Sequence, residues 1–190
     1  MKTSYKILLL FLFIGFHLLE EVSGQNIKTV LQLDPGENNP RNSEGDFIRL
    51  KDGRIMFIYT HFTGSSSSDF GSAHLAARFS RDNGQTWTDQ DKVIVPNDGK
   101  MNVMSVSLLR LQNGDIALFY ARKNSLSDCI PLMRISKDEG ETWSEPSPCI
   151  TDREGYFVLN NNRVLQLDKG RLIMPVALHR TSEGEDFNNN

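Results

Sequence analysis

An all-β fold made from one repeated four-stranded unit is predicted for this 190-residue chain by three observations. The octet Ser-x-Asp-x-Gly-x-Thr-Trp occurs twice, as SRDNGQTW at 80–87 and SKDEGETW at 136–143, with 56 residues from Asp82 to Asp138. A hairpin-like pattern occurs three times, in FIRLKDGRIMFIYT (47–60), LLRLQNGDIALFYA (108–121) and VLQLDKGRLIMPVA (164–177). Long stretches of amphipathic helical period are absent after the N-terminal apolar run.

That run belongs to a secretory signal peptide at residues 1–24. Met-Lys-Thr-Ser-Tyr-Lys is a basic start, Ile7 to Phe16 an apolar stretch, and Val22-Ser23-Gly24 a small-residue cleavage point. Glu20 and Glu21 close the stretch too early for a comfortable membrane span, which leaves an uncleaved anchor as the lesser alternative. No Cys follows it to take a lipid. The mature chain is expected to begin near Gln25, secreted or periplasmic, with about 165 residues, enough for one domain core.

Each hairpin segment is an apolar stretch, a Leu, two polar residues, a Gly, a charged residue and a second apolar stretch. Asp-Gly and Asn-Gly between β-rich runs are strong hairpin signals, because both central turn residues need positive φ. The turn glycines are Gly53, Gly114 and Gly170, at intervals of 61 and 56 residues. After the first hairpin come HLAARFS, the octet and KVIVP; after the second come IPLMRIS, the octet and PSPCI. The octet therefore links a third strand to a fourth.

Strand, strand, strand, turn, strand, repeated at this interval, is the pattern of a β-propeller of four-stranded antiparallel blades. Blades are expected near 40–98 and 99–155, with an incomplete third at 156–190. Within the octet, Gly84 and Gly140 suit a left-handed turn, and Asp82 and Asp138 can accept hydrogen bonds from the turn's own backbone. Trp87 and Trp143 are expected to be buried near the outer turns. Carboxylates on turns of separate blades do not converge on one substrate, so the octet is a structural brace.

Composition narrows the function. The net charge of −3 and the lack of a Lys/Arg run with interleaved aromatics argue against nucleic-acid binding. No His/Cys cluster has metal-ligand spacing and no Gly-rich phosphate loop occurs, so no cofactor or metal is expected. Cys129 precedes the third strand of the second unit and Cys149 lies in the fourth, roughly opposite it. They are read either as a bridge or as two free buried thiols.

The octet is the Asp-box, and the chain from about Glu44 to Arg180 resembles sialidases (neuraminidases), whose fold is a six-bladed propeller. The spacing gives about three blades here, so the sequence is read as the N-terminal part of a longer propeller. The resemblance implies an exo-glycosidase acting on terminal sialic acid or a related acidic sugar, with sialylated or other acidic glycans as partners. It also implies a catalytic acid/base aspartate in the loop after the first hairpin. In HFTGSSSSDFGSAHLAARFS, Asp69 stands nine residues before Arg78, as that pattern requires. A carboxylate on a Ser/Gly-rich loop is also placed to close over a sugar and protonate a leaving oxygen.

In a propeller the starts of the innermost strands ring one mouth of the channel. Arg41 to Asp46, Asn102 to Ser105 and Asn160 to Arg163 hold those places, giving Arg41, Glu44, Asp46, Asn102, Asn161 and Arg163 as substrate-binding candidates. His179 falls where sialidases often carry a pocket aromatic. One departure stands out. Sialidases open the first blade with an Arg that grips the sugar carboxylate, whereas EGDFIRL has none in that register, leaving Arg41 or Arg49 as substitutes. The Tyr nucleophile, its Glu and two further arginines are expected beyond Asn190. A catalytically silent propeller that binds glycan or protein, and a scaffold with no small-molecule site, are the competing readings.

Overall fold

Alternation of apolar residues around each turn glycine produces long antiparallel strands, and the computed structural model describes them over residues 27–181. The signal-peptide segment 1–24 and the terminal EGEDFNNN lie outside the described residues. Among the described residues there is no helix, and so none long and apolar enough to cross a membrane.

The first sheet holds β1 (Asn42–Arg49), β2 (Ile55–Phe62), β3 (Ala73–Ser80) and β4 (Lys92–Val95), each antiparallel to the next. The second repeats this order with β5 (Asn102–Arg110), β6 (Ile116–Lys123), β7 (Cys129–Ser136) and a two-residue β8 (Ser147–Pro148). Gly53, Gly114 and Gly170 all turn with φ between 83° and 90°, the left-handed backbone that makes glycine the cheapest residue there. Both sheets are propeller-type blades.

The third unit departs from the expected plain hairpin. Its arms are broken into β9 (Gly155–Val158) with β12 (Ala177–Thr181), and β10 (Leu165–Gln166) with β11 (Leu172–Ile173). Leu159 through Val164 lie opposite only Met174 through Val176, so the surplus residues leave the ladder. Pro175 removes a backbone donor in the shorter arm, which suits the break. A single parallel bridge, Cys129 to Tyr156, ties β9 to the second sheet.

The two faces of β6 explain the layering. Ile116, Leu118 and Tyr120 pack with Met56, Ile58, Leu75, Ala77 and Val95 of the first sheet and Val103, Val106 and Leu108 of β5. Ala117 and Phe119, on the opposite face, pack with Leu159 and Val164 of the third unit. Each fully buried aliphatic side chain contributes roughly 1.5–3 kcal/mol. The outer face of the first sheet stays open: Phe47 is exposed, and it stacks on Phe57 at 4.4 Å between ring centres.

The octets are braced turns at the end of each blade away from the strand starts. Asp82 Oδ1 accepts from Ser80 Oγ (2.9 Å) and from the Thr86 amide (2.8 Å), and Oδ2 accepts from Thr86 Oγ1 (2.6 Å). The Gly84 amide donates to Ser80 Oγ at 2.8 Å. Ser136, Asp138, Gly140 and Thr142 repeat every one of these bonds. The tryptophans differ from expectation, being only half-buried: Trp143 leans on the core, and Trp87 donates from Nε1 to Gly84 O at 3.1 Å. A ring that caps a surface turn from outside keeps one side in water.

Two predictions arise. A Cβ on Gly45 would stand 2.2 Å from Ile58 O and 2.7 Å from the Phe57 ring. Gly45→Ala should therefore push β1 off β2 and cost about 1–3 kcal/mol, read as a lowered denaturation midpoint. Hydrogen bonds from Thr86 and Thr142 hold Asp82 and Asp138 at about 2, below the unfolded carboxylate value of roughly 3.9. Their contribution is complete above about pH 4 and disappears as pH falls toward 2. Asp138→Asn should lower the midpoint at neutral pH and flatten its decline between pH 4 and 2; an unchanged decline would count against the brace.

Candidate functional site

The innermost strands of the first two blades each carry an extra residue near their start. In β1, Ser43 pairs with Thr60 and Gly45 with Tyr59, so Glu44 has no partner. In β5, Met104 pairs with Ala121 and Ser107 with Phe119, leaving Ser105 and Val106 against one residue. Ser105 takes φ 66°, the left-handed backbone a bulge imposes. Bulges re-aim side chains, and both send theirs to one place. Glu44 and Ser105 line a cavity of about 320 Å³ with Asp69, Lys123, Cys129, Tyr156, Asn160 and His179. A larger hollow of about 740 Å³ on the outer face of the first sheet is mostly apolar, lined by Val30, Leu31, Phe47, Phe57 and Trp87. Ionisable groups converge on the smaller one.

Asp69 sits on the loop 63–72 with its side chain 60% exposed. Three side chains pin that loop. Arg41 donates to Asp69 Oδ1 at 2.6 Å and to Ser67 O at 3.1 Å while lying 4.5 Å over the Phe62 ring. Asn102 donates from Nδ2 to Asp69 O (2.9 Å) and to Gly71 O (2.8 Å), and Lys123 Nζ donates to Asp69 O at 2.7 Å. At this exposure the Arg41–Asp69 pair adds at most about 1 kcal/mol, but it fixes where the carboxylate stands.

Of the candidates read from sequence, Asp69, Arg41, Glu44 and His179 meet at this mouth. Arg41 reaches within 3.9 Å of Glu44, and the His179 ring lies 6.1 Å from that of Tyr156. Arg49 does not join them. It donates to Gly53 O and to Asn83 Oδ1 at the far end of the blade, which leaves Arg41 as the arginine of the mouth.

Asp46 and Asn102 are corrections. Asp46 is 5% exposed and turned between the sheets, where it accepts from the amides of Leu108 and Phe47, each at 2.7 Å. Burial pushes its carboxyl above the ordinary value. Asn102 is fully buried beneath the Asp69 loop, so it holds the loop and does not face the cavity. Arg163 lines a neighbouring hollow with Asn160 and His179, and its amide donates to Ser107 Oγ. Asn161 Oδ1 is buried without a hydrogen-bond partner, away from both linings.

Lys123, Cys129 and Tyr156 were missed. Lys123 ends β6 in phase with Ala117, Phe119 and Ala121, so a cation on an inward phase was the signal available. Burial lowers its pKa, and burial raises that of Tyr156, keeping the phenol protonated. The two cysteines are free thiols: Cys129 opens β7 and Cys149 directly follows β8. Among the described residues no group of three or more His, Cys, Asp or Glu is arranged to hold a metal ion.

No protein-family model matches the sequence, and no curated protein does. Solved structures do. The Hadza microbial sialidase Hz136 is 16% identical with a TM-score of 0.59, over 75% of this chain and 33% of that one. NanB sialidase from Streptococcus pneumoniae is 12% identical with a TM-score of 0.56, over 79% and 43%. A polysaccharide lyase, ulvan lyase, bound to -[GlcA(1-4)Rha3S]-, is 15% identical with a TM-score of 0.52, over 77% and 34%. This chain has a sialidase-like fold, and it spans less than half the length of each of these structures.

Burial pushes the Cys129 thiol up to about 12 and the Cys149 thiol up to about 11. Native protein should therefore resist iodoacetamide at pH 8, with mass spectrometry showing two alkylations only after denaturation. Addition of two labels before unfolding, or none after unfolding without reductant, would contradict two free thiols, one buried and one half-buried.

Proposed function

We propose that this chain supplies the first blades of a six-bladed, Asp-box sialidase-type propeller that hydrolyses terminal sialic acid or a related acidic sugar from glycans. The observation that carries this is the Asp69 carboxylate at the mouth of a cavity, on a loop held by three side chains. The open apolar face of the first sheet and the third or so of each neighbour that the chain covers support further blades in the whole protein. The basic and apolar N-terminus supports secretion or a periplasmic location.

In this reading Asp69 gives its proton to the leaving glycosidic oxygen as the bond to the anomeric carbon breaks. It then takes one from the water that completes hydrolysis. Arg41 is the positioning residue for that carboxylate. Glu44, Ser105 and His179 offer hydrogen bonds to sugar hydroxyls. The Tyr156 phenol serves as a donor. Two of the family's expected arginines, its Tyr nucleophile and the Glu beside it belong to the whole protein.

A second reading, a propeller that only binds glycan, is favoured by the Arg41 contact, an ion pair at 2.6 Å that engages one oxygen of the Asp69 carboxylate. Turnover separates the two. The full-length protein should release free sialic acid from sialosides, and Asp69→Ala should slow natural sialosides by roughly 10²–10⁴-fold. An aryl sialoside, whose phenolate leaves with little protonation, should be spared. Equal losses on both substrates point to folding or binding, and undiminished turnover of natural glycans removes Asp69 from the mechanism.

A further inference from the structure

A second cation of the mouth comes from an unexpected strand. Lys123 is 3% exposed yet lines the cavity. Its ammonium carries three N–H donors. One goes to Asp69 O at 2.7 Å, and a second finds only the weak acceptor Met104 Sδ at 3.5 Å. The rings of Phe70 and Tyr156 lie 4.8 and 5.5 Å away. No carboxylate among the described residues pairs with it: the Asp69 carboxylate goes to Arg41, and the contact with Lys123 is to the backbone.

A buried charge is costly unless it is paired. Aromatic faces, one carbonyl and the more distant Asp69 and Glu44 carboxylates offset that cost only partly, and burial drags the lysine pKa down. The missing partner is an anion, and the cavity is where it can enter.

We infer that Lys123 is the anion-recognition group of this cavity and that its ligand is the carboxylate of an acidic sugar. A monoanion matches the one cation in the described lining and meets less repulsion from Glu44 and Asp69 in the same wall than a phosphate dianion would. The assignment rests on the glycan reading of the cavity. It also accounts for the arginine that EGDFIRL lacks, because the charge is supplied from the second sheet instead of the first.

The test is calorimetric titration of the full-length protein with four probes: methyl N-acetylneuraminoside, methyl glucuronoside and the carboxamide of each. The wild type should bind at least one acid about tenfold or more tighter than its amide, the scale of a hydrogen bond to a charged group. Which acid is preferred tells a carboxyl at the anomeric carbon from one on the ring's far side. Lys123→Met and Lys123→Gln should bring the acid-to-amide ratio to about one. A lysine that only held the Asp69 loop would weaken acid and amide alike, leaving the ratio intact, and that result overturns the assignment. So does a wild type without preference.

Should both variants unfold, wild-type protein with ¹³C-labelled lysine decides. The ring-shifted Lys123 Cε resonance should move with the acid and stay with the amide; movement with neither overturns the assignment. Titration reads no turnover, so the two readings fail separately. A chain that cleaves no sialoside yet prefers carboxylates through Lys123 loses only the hydrolase. A hydrolase whose preference survives Lys123→Met loses only this assignment.

Discussion

Face-to-face packing of the first two sheets is the constraint on which the mouth depends. Met56, Ile58 and Leu75 on one side and Leu108, Leu118 and Tyr120 on the other form a dry layer. A carboxylate in such a layer is costly unless it is bonded. Asp46 meets that condition through the Leu108 and Phe47 amides, and so fixes β1 against β5 at one register. A sliding of either sheet would leave a carboxylate unsatisfied in the interior, which is why the two strand starts stay side by side.

The mouth then follows from two defects in otherwise regular strands. Bulges at Glu44 and Ser105 bend β1 and β5 where they leave the core, and they aim one side chain from each into a shared space. The Asp69 loop spans the same gap. It is held by Arg41 from the first sheet and by Asn102 and Lys123 from the second. Position at the mouth is therefore shared between sheets, and neither blade alone presents the site.

Much of this was legible in the sequence because turn chemistry is local. Gly53, Gly114 and Gly170 announce positive φ, and the octets announce their braces, wherever the chain goes afterwards. The Ser/Gly-rich loop likewise marked Asp69. Facing was harder to read, since a one-residue bulge flips every later side chain to the other side of the sheet. Asp46 and Asn102 lie at strand starts as expected, yet the surplus residue in β1 and the burial beneath the loop send them inward. Lys123 escaped notice for the converse reason: its inward phase shows only once β6 is aligned on Ala117 and Phe119. The break in the third hairpin depends on unequal arms, which no single turn signal reveals.

The variable positions of the two octets make one further point. Asn83 keeps its bond within its own blade, to Arg49, whereas Glu139 reaches back to the blade before it. Its carboxylate accepts from the Lys51 amide at 2.9 Å and from both Arg110 terminal nitrogens, at 2.6 and 2.8 Å, and Arg110 in turn donates to Arg49 O. The clasp thus joins a later segment to one already made, and never waits for a segment still to come. A chain emerging from the ribosome in N-to-C order can lock each new sheet onto its predecessor as soon as its own braced turn has formed, so assembly and synthesis run in the same direction.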